Sequence, residues 1–502
     1  LPYDEHAHGD ERYLVVFNPS SFVRSEIVET NVEFFLQDVV VGLNPEVKVA
    51  PRLSPIKAFR LLDPAGKEIP YQILARNEAF GLTYSKHDYP HQTLVDRFSV
   101  LVSAEQVSPL GWKGLKIEKT DAVPTFSGAV QVRESVVEND FLKVEASVDG
   151  TVRIVEKSTG ASYGPLNMFE DSGDVGDEYN YSYPARDEKY QSTQFPPVIS
   201  VVERGPLRAS LRIDSTMLIP ESASSDERSR SSGKAELRIS TVLSLTPFSR
   251  RVDVKTTVHN TAKDHRLCAL FRTGINTKES FADTPFAVVQ RTHQEYDNSQ
   301  FPYEHPALVA PMQRFVTIAD SQKGLTLITK GVPEYELGVK EPGVLALTLL
   351  RCVGKLSGSN LITRPGGAAG WWTETPEAQC IGIHTFEYSM FPHPSLTSNT
   401  LSSILREVEL FTVPLLSLKR KNDQPVLERS FLSLESAGLQ FTALKESEDR
   451  KGFIVRICNP TDGPGECRLR FVRPVAQAHR CKLNEEAIAP LRIIKSAEIK
   501  VT

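Results

Sequence analysis

With 502 residues the chain is long enough for two to four domains, each with a core of its own. Its 58 basic and 63 acidic residues leave a net charge of only -5, and no Lys/Arg-rich run stands out to neutralise phosphates, so a nucleic-acid partner is excluded. Apolar runs such as YLVVF and LALTLL fall far short of the roughly eighteen residues that a spanning helix needs, so no membrane partner is expected.

In chain order, the first stretch of interest is HAHGD, where His6, His8 and Asp10 have metal-capable side chains. A terminus is normally frayed, so a disordered leader is the expected state. RYLVVFNPS then alternates apolar with polar residues as a strand does, and the same grammar recurs in FLKVEASVDGTVRIVEKSTG, RVDVKTTVHNT and GFIVRICNPTDG. In SVDGTVRI an Asp-Gly pair predicts a hairpin turn. Three strands exit at Asn18, Asn260 and Asn459, each followed by Pro or Thr, where the amide can bond nearby backbone. PESASSDERSRSSGKAE, residues 220 to 236, reads as a long exposed or mobile loop. Helical spacing is scarce, and LSSILREVELF is the best candidate although its β-branched and aromatic content leaves it ambiguous. The predicted class is all-β and sandwich-like, with boundaries near residues 108 to 125 and 413 to 428.

The six cysteines, at 268, 352, 380, 458, 467 and 481, form no CxxC pair and read as buried thiols of a protein in the reducing cytoplasm. The sequon Asn180-Tyr181-Ser182 is what chance supplies. Leu1 in place of Met suggests a processed product or a piece of a longer chain.

No P-loop, GxGxxG, HExxH or GxSxG signature occurs. The chemistry therefore rests on two clusters. FEDSGDVGDEYNYSYP, residues 169 to 184, gathers Glu170, Asp171, Asp174, Asp177 and Glu178 with Tyr179, Tyr181 and Tyr183. Its spacing fails the calcium-loop pattern. A solvated acidic loop, a cation site and a carbohydrate site all stay open, the last because carboxylates accept from hydroxyls while aromatic rings lie against C–H faces. The second cluster, LLRCVGKLSGSNLITRPGGAAGWWTETPEAQCIGIHTFEYSMFPH, carries Arg351 after an apolar run, then Arg364 and a glycine-rich loop with Trp371 and Trp372. Such a tryptophan pair either plugs a core or forms a ligand platform.

FNPSSFVRSEIVE, NDFLKVEASVDGTVRIVEKSTG, EDSGDVGDEYNYSYP, LLRCVGKLSGSNLITRPGGAAG, TPEAQCIGIHTFEYSMFPH and LKESEDRKGFIVRICNP, taken together and in order, resemble the C-terminal half of bacterial glycoside hydrolase family 38, of the α-mannosidase or mannosylglycerate hydrolase type. The resemblance implies a β-sandwich over residues 1–110, a large mutarotase-like super-sandwich over 111–415 and a C-terminal β domain over 416–502. It further implies a retaining hydrolase of α-mannosides whose Asp nucleophile and Zn2+ ligands lie in an N-terminal catalytic domain outside this chain. No catalytic residue carries over, and the chain alone is expected to be inactive. Tyr179, with Tyr181 as second choice, and Arg351 are implied at the sugar, and Asp177 and Arg364 join them as substrate-binding candidates. Loss of Tyr179 or Arg351 is expected to weaken activity with the fold intact. The implied partners are an α-mannoside and the missing domain, and a homo-oligomer stays open. Three alternatives stand beside this: the acidic loop as an interdomain brace, the chain as a stand-alone carbohydrate-binding module, and a mutarotase-like enzyme using His259, His293 or His384.

Overall fold

The computed structural model describes residues 10–39, 51–83, 91–421, 424–436, 438–461 and 463–501. His6 and His8 lie outside them, so the metal reading of HAHGD does too. Asp10 itself accepts from the Phe35 amide at 3.0 Å and pairs with Lys119.

The alternating segments become antiparallel strands throughout, and the class is all-β. The first sandwich packs one sheet, Leu416–Arg420, Tyr13–Asn18, Gly111–Thr120, Ala58–Leu62 and Glu68–Ile69, on a second made of Arg24–Asp38, His91–Val107 and Tyr71–Thr83. Between them lie Phe34, Phe59, Phe98, Val100 and Leu115, with Phe59 stacked on Tyr71 at 4.5 Å. This corrects the expected boundaries. Gly111–Thr120, assigned above to the second domain, pairs with both Tyr13–Asn18 and Ala58–Leu62, and Leu416–Arg420, assigned to the third, pairs with Tyr13–Asn18. The SPLGW stretch is a tight turn into a central strand, with the Leu110 amide bonded to the Ser20 carbonyl at 2.8 Å, and is no linker.

The middle of the chain forms three sheets. The largest runs Val198–Arg204, Ala209–Pro220, Lys234–Leu245, Val252–Asn260, Gly382–Pro394, Lys323–Lys330, Phe315–Ala319, Glu279–Thr284 and Ala287–Thr292. A second runs Tyr190–Gln191, Met168–Gly173, His265–Arg272, Val344–Cys352, Glu334–Leu337 and Val309–Pro311, and a third is the meander from Gln131–Arg133 to Ser162–Leu166. All three feed one core, in which Leu211, Leu243, Val254, Phe271, Leu347 and Tyr388 are fully buried. The Asp-Gly hairpin forms as expected between Leu142–Ala146 and Val152–Glu156, with Gly150 at φ 83°, a conformation that glycine adopts without cost.

The ambiguous segment LSSILREVELF resolves as the helix Ser398–Thr412, capped by the Thr397 hydroxyl accepting from the Thr400 amide. Its Ile404, Leu405, Val408 and Phe411 fall on one face and pack on Phe315, Ile328 and Phe391 of the large sheet. A small β domain around Leu432, Leu469 and Ile499 follows.

Candidate functional site

Met168–Gly173 and Val344–Cys352 flank His265–Arg272, and both pair antiparallel with it, with Gly173 and Cys352 opposite His265. The two flanking strands therefore end at the same sheet edge. The acidic loop that follows residue 173 and the glycine-rich loop that follows residue 352 leave this edge side by side, which brings together clusters nearly two hundred residues apart.

The pairing between these loops consumes most of their charge. Asp177 is 0 % exposed, and its Oδ1 accepts from the Tyr179 and Asn180 amides at 3.0 and 2.8 Å. Its Oδ2 accepts from the Gly358 amide at 2.8 Å and from Arg364. Burial alone would push this carboxyl up, but the Arg364 guanidinium and the Gly358 amide outweigh it and hold the group below its ordinary value. Arg364 is equally committed, donating to Asn180 Oδ1, to the Gly367 carbonyl at 2.8 Å and to the Gly358 carbonyl at 2.9 Å. Asp177 and Arg364, expected at the sugar, are thus buried against each other and beyond the reach of a ligand in this arrangement.

Arg351 is partly exposed at this edge. Its Nε donates to Asp174 Oδ2 and one terminal nitrogen to the Asp177 carbonyl, both at 2.9 Å. Asp174 is buried, and that burial pushes its carboxyl up to about 6 against the pull of Arg351 and the Gly176 and Ser182 amides. The turn needs glycine at 176, where a Cβ would meet the Asn180 carbonyl oxygen at 2.1 Å. Tyr181 lies half-buried under Arg266, 4.8 Å from ring centroid to guanidinium carbon, and its hydroxyl is 3.3 Å from that of Ser172. Burial raises its phenol. Tyr179 points outward, 55 % exposed, and rests against Gly370. Trp371 and Trp372, 88 % and 67 % exposed, project beside it, so this pair plugs no core. Trp372 borders an open pocket of about 370 Å³ with Asp174, Glu227, Lys263, Lys355 and Glu374 on its walls.

Sequence reasoning missed several members of this edge. The serine-rich loop 220–236 folds back to the site: Lys355 pairs with Glu227 at 2.8 Å, and Arg230 is buried in an ion pair with Asp171. Asp171 in turn holds His265 Nδ1 at 2.6 Å. An Arg flanked by serines gave no signal for this, because its partner lies in a distant strand. His259, His293 and His384 do not converge. His259 stands opposite Ile383 and His384 opposite Val258 in the large sheet, while His293 is buried on Ser280 and 6.0 Å from the Tyr335 ring. Among the described residues no group of three or more His, Cys, Asp and Glu could hold a metal ion.

Residues 137–355 match the family model described as glycosyl hydrolases family 38 C-terminal domain, and residues 438–502 match the family 38 C-terminal beta sandwich domain. A protein of Halalkalibacterium halodurans provisionally named mannosylglycerate hydrolase is 28% identical over 457 residues, which span 86% of this chain and 48% of that protein. The crystal structure of an alpha-mannosidase from Enterococcus faecalis V583 superposes with a TM-score of 0.82 at 26% identity, covering 98% of this chain and 56% of that one. A second Enterococcus faecalis structure, a protein in glycosyl hydrolase family 38, gives 0.80 at 25% identity, covering 98% and 58%. The chain spans about half the length of each.

Proposed function

The chain belongs to glycoside hydrolase family 38, whose C-terminal domains it carries, and on that premise we propose that it is the β-region of a retaining hydrolase of α-mannosides. In this reading it lends a rim to the sugar site and braces a catalytic domain supplied by further sequence or a partner chain. The observation that carries the proposal is the edge itself: Tyr179, Trp371 and Trp372 stand exposed beside Arg351 and a polar pocket, on loops whose inner charges are already neutralised. Exposed rings supply stacking faces for the C–H side of a sugar, and the pocket walls supply carboxylates and ammonium groups for its hydroxyls. Asp177 and Arg364 act one layer below, holding Tyr179 in place through the backbone of residues 177 to 180.

In this reading the zinc ion of the proposed reaction belongs to the catalytic domain, as the family resemblance implies. There it would act as a Lewis acid on the mannose hydroxyls. Six free cysteines favour a reducing compartment such as the cytoplasm.

The test is an assay of the 502-residue chain with zinc and an aryl α-mannoside, alone and joined to its catalytic domain. Turnover is expected only from the joined protein. Turnover by the purified chain alone would overturn the division of labour. Retention of the isolated chain on immobilised mannoside, with no activity in the joined protein, would favour a stand-alone binding module.

A further inference from the structure

The loop 353–379, which carries Arg364, Trp371 and Trp372, has a neck made of two cysteines. Cys352 ends the strand Val344–Cys352, and Cys380 follows the short turn Pro376–Gln379. Two backbone hydrogen bonds, from the Val353 amide to the Ala378 carbonyl at 3.2 Å and from the Thr375 amide to the Gly354 carbonyl at 3.0 Å, hold the limbs together. Asn260 spans the neck, its Nδ2 donating to Cys352 Sγ at 3.5 Å and to the Cys380 carbonyl at 3.0 Å. Cys380 Sγ donates to the Ala378 carbonyl at 3.4 Å and lies 3.9 Å from the carbonyl of Arg351, the residue before Cys352. Cys352 is fully buried and Cys380 half-buried, beside the pocket whose wall includes Val353, Gly354 and Gln379.

We propose that Cys352 and Cys380 are a thiol modification site that closes into a reversible disulfide, with Cys380 the attacking and Cys352 the resolving sulfur. The inference is independent of the sugar reading above. The neighbouring Cys352 thiol, with His384 and His265 nearby, draws the Cys380 thiol below its usual range against the effect of burial. The same neighbour relation, with burial, pushes Cys352 up. Cys380 thus has the partial exposure and the thiolate character of an attacking sulfur, with its resolving partner already in place.

The oxidant is a low-molecular-weight disulfide such as oxidised glutathione. The Cys380 thiolate attacks one of its sulfurs, breaking that S–S bond and releasing one glutathione thiolate. Cys352 then attacks the mixed disulfide at Cys380 Sγ, its proton passing to the second departing thiolate. Two protein thiols are oxidised, and one glutathione disulfide is reduced to two thiols. The new bond ties off residues 352 to 380 as a ring and restricts the excursions of the tryptophan-bearing loop.

The experiment equilibrates the intact chain in glutathione redox buffers, blocks free thiols with iodoacetamide, and maps the digest by mass spectrometry. The expected result is a crosslinked peptide pair carrying Cys352 and Cys380 at the oxidised end, lost on adding dithiothreitol, with slower proteolysis inside 353–379. Cys352→Ser should leave glutathione on Cys380, and Cys380→Ser should leave Cys352 unmodified. Circular dichroism on both variants establishes that they are folded. Full alkylation of Cys352 and Cys380 at the most oxidising ratio would overturn the proposal, as would glutathione only on Cys458 or Cys481.

Discussion

Asn18, Asn260 and Asn459 each accept from the amide two residues on, at 2.9, 3.0 and 3.1 Å, as their place at strand exits suggested. The ion pairs Arg351–Asp174 and Arg364–Asp177 join residues 177 and 187 positions apart, and nothing in a single sequence couples them. This changes the expected outcome of one mutation. Asp174 is 0 % exposed at its side chain and loses its counter-charge in Arg351→Ala, and breaking such a pair costs about 3 kcal/mol or more. Urea unfolding should therefore show Arg351→Ala clearly destabilised, whereas an unchanged midpoint would mean that Asp174 needs no partner. Tyr179, exposed and with its amide bonded to Asp177, should tolerate Phe within about 0.5 kcal/mol.

At the scale of elements, the strands were plain from alternation, and the helix was ambiguous because Ile404, Val408 and Phe411 suit either state. Packing decides it, since these residues fill the gap over Phe315 and Ile328. Ile404→Ala should cost about 2 to 5 kcal/mol in chemical denaturation, and a loss under about 1 kcal/mol would contradict that role. The return of Leu416–Arg420 to the first sheet, some three hundred residues after Gly111–Thr120, was invisible because a strand carries no mark of a remote partner. Glu11 helps to fasten it, bonding Lys419 at 2.9 Å and the Glu33 amide at 2.8 Å. Burial pushes the Glu11 carboxyl up to about 7, against the pull of Lys419. A carboxyl raised on folding contributes stability that is full below its ordinary value of 4.5 and is lost as pH rises through about 7. The melting temperature of Glu11→Gln should therefore vary less between about pH 5 and pH 8 than that of the wild type. Parallel pH profiles would show that Glu11 titrates normally.

For the whole molecule, the all-β class and the family were readable from the sequence, because hydrophobic alternation and the order of several motifs run along nearly the full chain. What the site does with Asp177 and Arg364 was not, because charged residues in a glycine-rich loop look alike whether they face solvent or each other. The folded arrangement commits those charges to each other and leaves the rings of Tyr179, Trp371 and Trp372 exposed. The central claim is that this edge borders a mannoside held by a catalytic domain. Its most direct measurement is kcat/KM on an aryl α-mannoside for Tyr179→Phe in the joined enzyme, taken with the melting temperature of the same protein. Loss of one neutral hydrogen bond to a sugar hydroxyl predicts a roughly two- to ten-fold fall in kcat/KM at unchanged melting temperature, and wild-type kinetics in an equally stable variant would contradict it.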